Sequence, residues 1–157
     1  MELLLKTRRV ADAEEALAKL KALGADASQY EARVAAAKQS SEKEKEEVEQ
    51  QKEAVEALLH NAELDADLAS EARMEAAELA AKHHVTAEAL GALYRSARYA
   101  YSAGSHEAAA ALLKRFVELA PLGGEALERQ RMDAQWGKLA CDVLLGRSEE
   151  GFADVQR

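Results

Sequence analysis

The side chains able to bind a metal or attack a substrate are few: His60, His83, His84, His106, the single Cys141 and a scatter of carboxylates. A metal site needs ligands at spacings that converge on one point, and these histidines show no such spacing; the adjacent His83 and His84 point to different faces of a helix. Cys141 lies in the apolar run Leu139-Ala140-Cys141 and Val143-Leu144, which suits an inert core thiol better than a nucleophile. Standing alone it forms no internal disulfide, and a reducing compartment is compatible. Gly104, Gly123-Gly124 and Gly146 read as helix punctuation, and no lysine follows them where a phosphate-cradling loop requires one. The carboxylates are spread as on solvated helix faces, without an acid/base pair. No catalysis, no cofactor and no metal are expected.

The elements that position these residues are helical. The chain has 157 residues, 48% of them hydrophobic, but only 4% are aromatic and one is proline. Alanine supplies much of the apolar content, and alanine-rich helices approach closely while burying little area each, so stability must come from many contacts spread along the chain. The net charge of −8 argues against general binding to a phosphate backbone, which needs clustered Lys and Arg, so direct sequence-specific nucleic-acid binding is not expected, while local basic faces stay open. The run Leu3-Leu4-Leu5 is too short for a signal peptide or a membrane span, so the expected location is cytosol or nucleus, without a membrane partner.

The best-formed unit runs from Ala89 to Pro121. Leu90, Leu93, Tyr94, Ala97 and Tyr101 recur at the spacing of one helix face, while Arg95, Ser96 and Arg98 fall elsewhere. Gly104 sits where a helix needs a left-handed C-terminal residue, and Ser105 follows as an N-cap with Glu107 in the first turn. A second helix then places Ala109, Leu112, Leu113, Phe116, Val117 and Ala120 on its dry side before Pro121 stops it. Two apolar faces joined by so short a turn pack as an antiparallel hairpin. Leu90-Gly91 with Tyr94 fits part of the tetratricopeptide pattern, although Ala87 stands where that repeat has tryptophan.

Elsewhere the pattern is less regular. Residues 2–5 read as the last turn of a helix, so the chain is expected to open within a repeat; Arg8-Arg9 then lead into a helix burying Val10, Ala13, Leu17, Leu20 and Leu23, closed by Gly24. This makes residues 1–25 a helix-pair remnant. Asp26 or Ser28 caps a long helix over 26–62, roughly 50 Å at ~1.5 Å per residue, apolar at its ends and charged from Glu42 to Glu47. It reads as a solvated rod bridging two packed regions, with a partner-dependent coiled coil and partial disorder as the alternatives. Over 63–157 the apolar period returns: Leu64, Leu68, Ala72, Ala76, Leu79 and Ala80 lead to Lys82-His83-His84, and Thr86 caps the hairpin. After Gly123-Gly124 a stripe of Met132, Trp136, Leu139, Ala140, Val143 and Leu144 is expected to be buried, with Gly146 and Ser148 opening a last helix. Ala97, Gly104 and Ala109 are echoed by Ala140, Gly146 and Ala153, so the expected fold is all-α, a right-handed helical-repeat solenoid of antiparallel pairs with one long, partly solvated helix. Its repeat core comprises Leu93, Ala97, Tyr101, Gly104, Ala109, Leu113, Phe116, Trp136, Leu139 and Ala140.

The wording of these helices resembles the N-terminal helical region of the e-subunit family of eukaryotic translation initiation factor 3. The resemblance is carried by Leu93-Tyr94-Arg95-Ser96-Ala97 with Tyr101 and Gly104, by Phe116-Val117-Glu118-Leu119-Ala120-Pro121, and by Trp136-Gly137-Lys138-Leu139-Ala140. It implies a non-catalytic scaffold whose partners are other initiation factor 3 subunits, the small ribosomal subunit and the cap-binding complex scaffold. In the family a winged-helix PCI module follows; none is expected after Arg157 here. Two other readings stay open. One is a PCI-type subunit of the proteasome lid or the signalosome. The other is a free-standing peptide-binding adaptor whose groove would use Arg95 and Arg98.

Overall fold

The computed structural model describes residues 10–24, 26–70 and 75–155, and every regular element among them is helical. The expectations for Leu3-Leu4-Leu5, Arg8-Arg9, Ala72 and Arg157 lie outside the described residues. The chain divides into two compact units, Met1–Glu49 and Gln50–Arg157.

In the first unit, α1 (Val10–Ala22) and α2 (Ser28–Gln50, its residues to Glu49) form a small helical pair. Asp26 Oδ1 accepts hydrogen bonds from the Ser28 amide and hydroxyl at 3.0 and 2.6 Å, which fixes the entry to α2. Ala13, Ala27 and Val34 are buried, but Leu23 is 82% exposed. Lys38 reaches Glu14 at 2.9 Å and Lys21 reaches Glu31 at 2.8 Å, so exposed ion pairs accompany a thin apolar seam. The long helix expected to run to residue 62 ends at Gln50. Gln51 turns with φ −99° and ψ 3°, and a separate helix α3 (Lys52–Leu59) follows. Charge patterning carries no register of its own, so nothing in the Glu42 to Glu47 run marked the break.

The second unit holds the larger core. After α3 come α4 (Ala62–Ala69), started by Asn61, whose side chain accepts from the Leu64 amide at 2.9 Å, and α5 (Ala76–Lys82). Then follow α6 (Ala87–Ser102), α7 (His106–Leu119), two short 3-10 turns at Ala120–Gly123 and Glu125–Leu127, α8 (Glu128–Leu144) and α9 (Ser148–Val155). α6 packs on α7, α7 on α8 and α8 on α9, while α3 packs on α6 and α5 rests on the first 3-10 turn. The short connection makes α6 and α7 antiparallel. The core is built from Leu64, Leu90, Leu93, Ala97, Ala109, Phe116, Leu119, Ala134 and Cys141, all fully or almost fully buried. Tyr94 lies against Phe116 with ring centroids 5.1 Å apart.

Three helices of this unit end in the same way. The amides of Val85, Ser105 and Arg147 bond back to the carbonyls of Ala80, Ala100 and Asp142 at 2.9, 2.9 and 2.7 Å, around left-handed residues His84, Gly104 and Gly146. Gly104 at φ 80° and Gly146 at φ 76° can take this conformation without strain, whereas His84 at φ 53° carries a Cβ into it. His84→Gly is therefore expected to raise stability by ~0.5–1 kcal/mol, relief of left-handed strain exceeding the added chain entropy of glycine. A thermal melt checks it, and an unchanged melting temperature would mean that His84 makes a compensating contact.

Candidate functional site

The candidate site is a surface on α7, α8 and α9. Residues Ala134 and Cys141, one helical side of α8, face the core, and Gly137 lets α7 come close: a Cβ added there would meet Leu113 Cδ1 at 3.2 Å. With small residues turned inward, bulky ones elsewhere on the helix are left half or more exposed among the described residues. Met132 is 60% exposed, Trp136 62%, Val143 50% and Leu144 58%, and Phe152 of α9 is 57% exposed. A helix apolar on two sides is the pattern of a helix covered on both.

This overturns the expected burial of Trp136. The stripe of Met132, Trp136, Ala140 and Val143 is real at helical spacing, but the core took the other stripe, because Ala134, Gly137 and Cys141 allow closer helix packing than tryptophan does. Leu139 alone of the bulky residues on that side is buried, covered by α9: a Cβ on Gly151 would come within 2.9 Å of Leu139 Cδ1 and 3.0 Å of Asp142 Cβ. Trp136→Ser is accordingly expected to change folding stability by no more than about 0.5 kcal/mol, to be checked by denaturant unfolding followed by circular dichroism.

The remaining expected positions divide similarly. Leu93, Ala97, Ala109, Leu113 and Phe116 are buried, Ala140 is half-buried, and Ala153, the echo of Ala109, is exposed. Tyr101 is 41% exposed, since it lies in the last turn of α6, and its ring edge meets His106 at 5.3 Å between centroids. Ser96, expected on the wet side, is buried. Ser105 occupies the N-cap position of α7 but its side chain caps nothing, whereas Thr86 Oγ1 accepts from the Ala89 amide at 3.1 Å. Arg95 and Arg98 are both exposed; Arg95 Nη2 donates to Gln51 Oε1 at 2.9 Å, a bridge between α6 and the turn before α3.

Two charged clusters escaped sequence reading. Arg115, on the buried side of α7, donates from Nε to the Leu58 carbonyl at 2.8 Å and from Nη1 to Asp65 at 2.6 Å, clamping the end of α3 and the start of α4. Lys138 donates to Asp142 at 2.7 Å and to Asp154 at 2.6 Å, pinning α9 onto α8. Burial would push the Lys138 ammonium down, but its hydrogen bonds to the two carboxylates outweigh this and hold it above the usual lysine value. The i, i+4 spacing of Lys138 and Asp142 was the available signal for the second cluster. Arg115 offered none.

Between these helices lies a cleft of about 310 Å³, with Val117, Leu139 and Gly151 lining it together with Lys114, Glu118, Gln135, Lys138 and Asp154. The titratable candidates of the sequence lie apart from it. His83 Nε2 is 2.6 Å from Asp67, whose carboxyl is held below its usual range by hydrogen bonds from Lys82 and His83. His60 and His84 are exposed, and burial pushes the Cys141 thiol up. Among the described residues no three His, Cys, Asp or Glu side chains group to hold a metal ion, and no helix is long and apolar enough to cross a membrane.

Three curated relatives, all fungal, are similar to this chain, and each bears the name of the e subunit of eukaryotic translation initiation factor 3. The relative from Botryotinia fuckeliana is 37% identical over 76 residues, 48% of this chain and 16% of its own length. The one from Sclerotinia sclerotiorum is 36% identical over 76 residues, again 48% of this chain and 16% of the relative. That from Pyricularia oryzae is 32% identical over 101 residues, 64% of this chain and 21% of the relative. The matched part of the chain thus spans about a sixth to a fifth of their length. No family model matches the chain, and no solved structure does.

Proposed function

We propose that the chain is a non-catalytic helical scaffold element of eukaryotic translation initiation factor 3, which binds other subunits of that factor and, through the assembly, the small ribosomal subunit in the cytoplasm. The carrying observation is the similarity to three e-type subunits over 48% to 64% of the chain. Two structural facts support it. Successive packing of α6 to α9 with repeated left-handed caps is what a right-handed repeat solenoid over 63–157 needs. The uncovered apolar side of α8 is what a protein–protein interface within an assembly needs. Contact with the cap-binding complex scaffold extends the same reading to mRNA recruitment.

The test is affinity purification of the tagged chain from cytosolic extract, with co-purifying proteins identified by mass spectrometry. Other initiation factor 3 subunits together with small-subunit ribosomal proteins are the expected result. Recovery of proteasome-lid or signalosome subunits in their place would overturn it.

A further inference from the structure

α9 brings little bulk to its contact with α8. Among its described side-chain positions Gly151 is the buried one, while Phe152 is 57% exposed and Glu149, Glu150 and Ala153 are exposed. The approach is close because a glycine makes it: an added Cβ would lie 2.9 Å from Leu139 Cδ1 and 3.0 Å from Asp142 Cβ. A charge bridge accompanies it. Asp154 of α9 accepts from Lys138 Nζ at 2.6 Å, and the same ammonium donates to Asp142 at 2.7 Å. Eight residues with a glycine in the middle are too few to hold a helix on their own, so α9 is helical because it is docked.

The bridge can part without stranding a charge. Lys138 and Asp142 stand four residues apart on one helix, so their bond survives if α9 leaves. Asp154, 39% exposed while docked, returns to water. What opening gives up is that one bridge and the cover of Leu139, which is 8% exposed with α9 in place. The joint is equally local. The Arg147 amide closes the cap of α8 on the Asp142 carbonyl at 2.7 Å, and the Arg147 carbonyl accepts the first bond of α9, from the Gly151 amide at 3.1 Å. A rotation at that residue swings α9 while leaving α8 wound.

We propose that α9 is a lid, which opens from α8 as a unit while α6, α7 and α8 stay folded, with the Lys138–Asp154 bridge as its latch. It forms one wall of the cleft of about 310 Å³, through Gly151 and Asp154, and α7 and α8 form the others through Val117, Gln135 and Leu139. Closed, the cleft has three walls. Open, it becomes a two-helix groove in which Leu139 joins Val117 at the surface. The Lys138 ammonium is held above the usual lysine value, so the latch is charged at neutral pH. The lid is a property of this unit and stands or falls independently of the scaffold reading.

Hydrogen exchange of the full chain, followed by mass spectrometry, tests it. The α9 amides are expected to exchange about tenfold or more faster than those of α7 and α8 under the same conditions, yet slower than in an unstructured chain. Asp154→Asn, which keeps the shape and removes the charge, is expected to quicken α9 about fivefold and leave α7 and α8 unchanged. Gly151→Ala separates docking from helix propensity. Alanine would steady a free-standing helix, whereas a Cβ pressed on Leu139 and Asp142 lifts the docked one, so exchange in α9 is expected to rise. Four results would overturn the proposal: α9 exchanging no faster than α8, α9 exchanging as an unstructured chain does, Asp154→Asn quickening α8 and α9 alike, or Gly151→Ala slowing α9.

Discussion

Phe116→Ala is expected to cost about 3–5 kcal/mol of folding stability, the range for deleting a fully buried aromatic ring. Phe116 is 0% exposed, sits on α7 where that helix is held between α6 and α8, and stacks at a tilt of 40° on Tyr94. An alanine-rich core has few large side chains able to collapse into the space, so the cavity term stays close to its full value. Denaturant unfolding monitored by circular dichroism measures the loss. A change below about 1 kcal/mol would show that the packing of α7 on its neighbours is not what holds the second unit together.

Arg115→Met is expected to cost about 2–3 kcal/mol although it keeps the aliphatic bulk. The variant leaves the Leu58 carbonyl without its donor at a buried helix end, which costs ~1–3 kcal/mol. It also removes the bond to Asp65, whose half-exposed carboxylate returns to water at little penalty. Arg115→Lys should recover only part of the loss, since one ammonium cannot serve both acceptors with the geometry of a planar fork. Hydrogen exchange gives the localisation: α3 and α4 should lose protection before α8 does. Uniform loss across all helices would place the effect in the core around Phe116 instead of in the clamp.

Helix punctuation was legible because it depends on local chemistry. Gly104 and Gly146 announce left-handed caps, Thr86 an N-cap and Pro121 a stop, and each acts within a few residues of itself. Which apolar stripe of a two-sided helix turns inward is not a local property. On α8 both stripes satisfy the helical period, and the choice between Trp136 and Cys141 was made by what α7 presents, namely Leu113 over Gly137. Tyr101 failed for a related reason, since periodicity assigns a face but not how far along the helix the neighbour extends. Ser96 shows the opposite failure, a polar residue read as solvated but buried, and Arg115, which carried no signal, is buried with a partner carbonyl, that of Leu58, 57 residues away in sequence. The break at Gln51 and the split of the helix expected over 64–82 were hidden because alanine, glutamate and lysine favour helix on either side of a turn.

The burial of Cys141 gives the second unit an internal clock. It is the single cysteine, 0% exposed, on the side of α8 that faces the core, and its thiol is held in the protonated, unreactive form by burial. A thiol reagent can therefore reach it only during moments when α8 lifts from its neighbours, and the rate of labelling counts those openings. A ligand seated across the far side of α8 would slow that count without ever touching the sulfur.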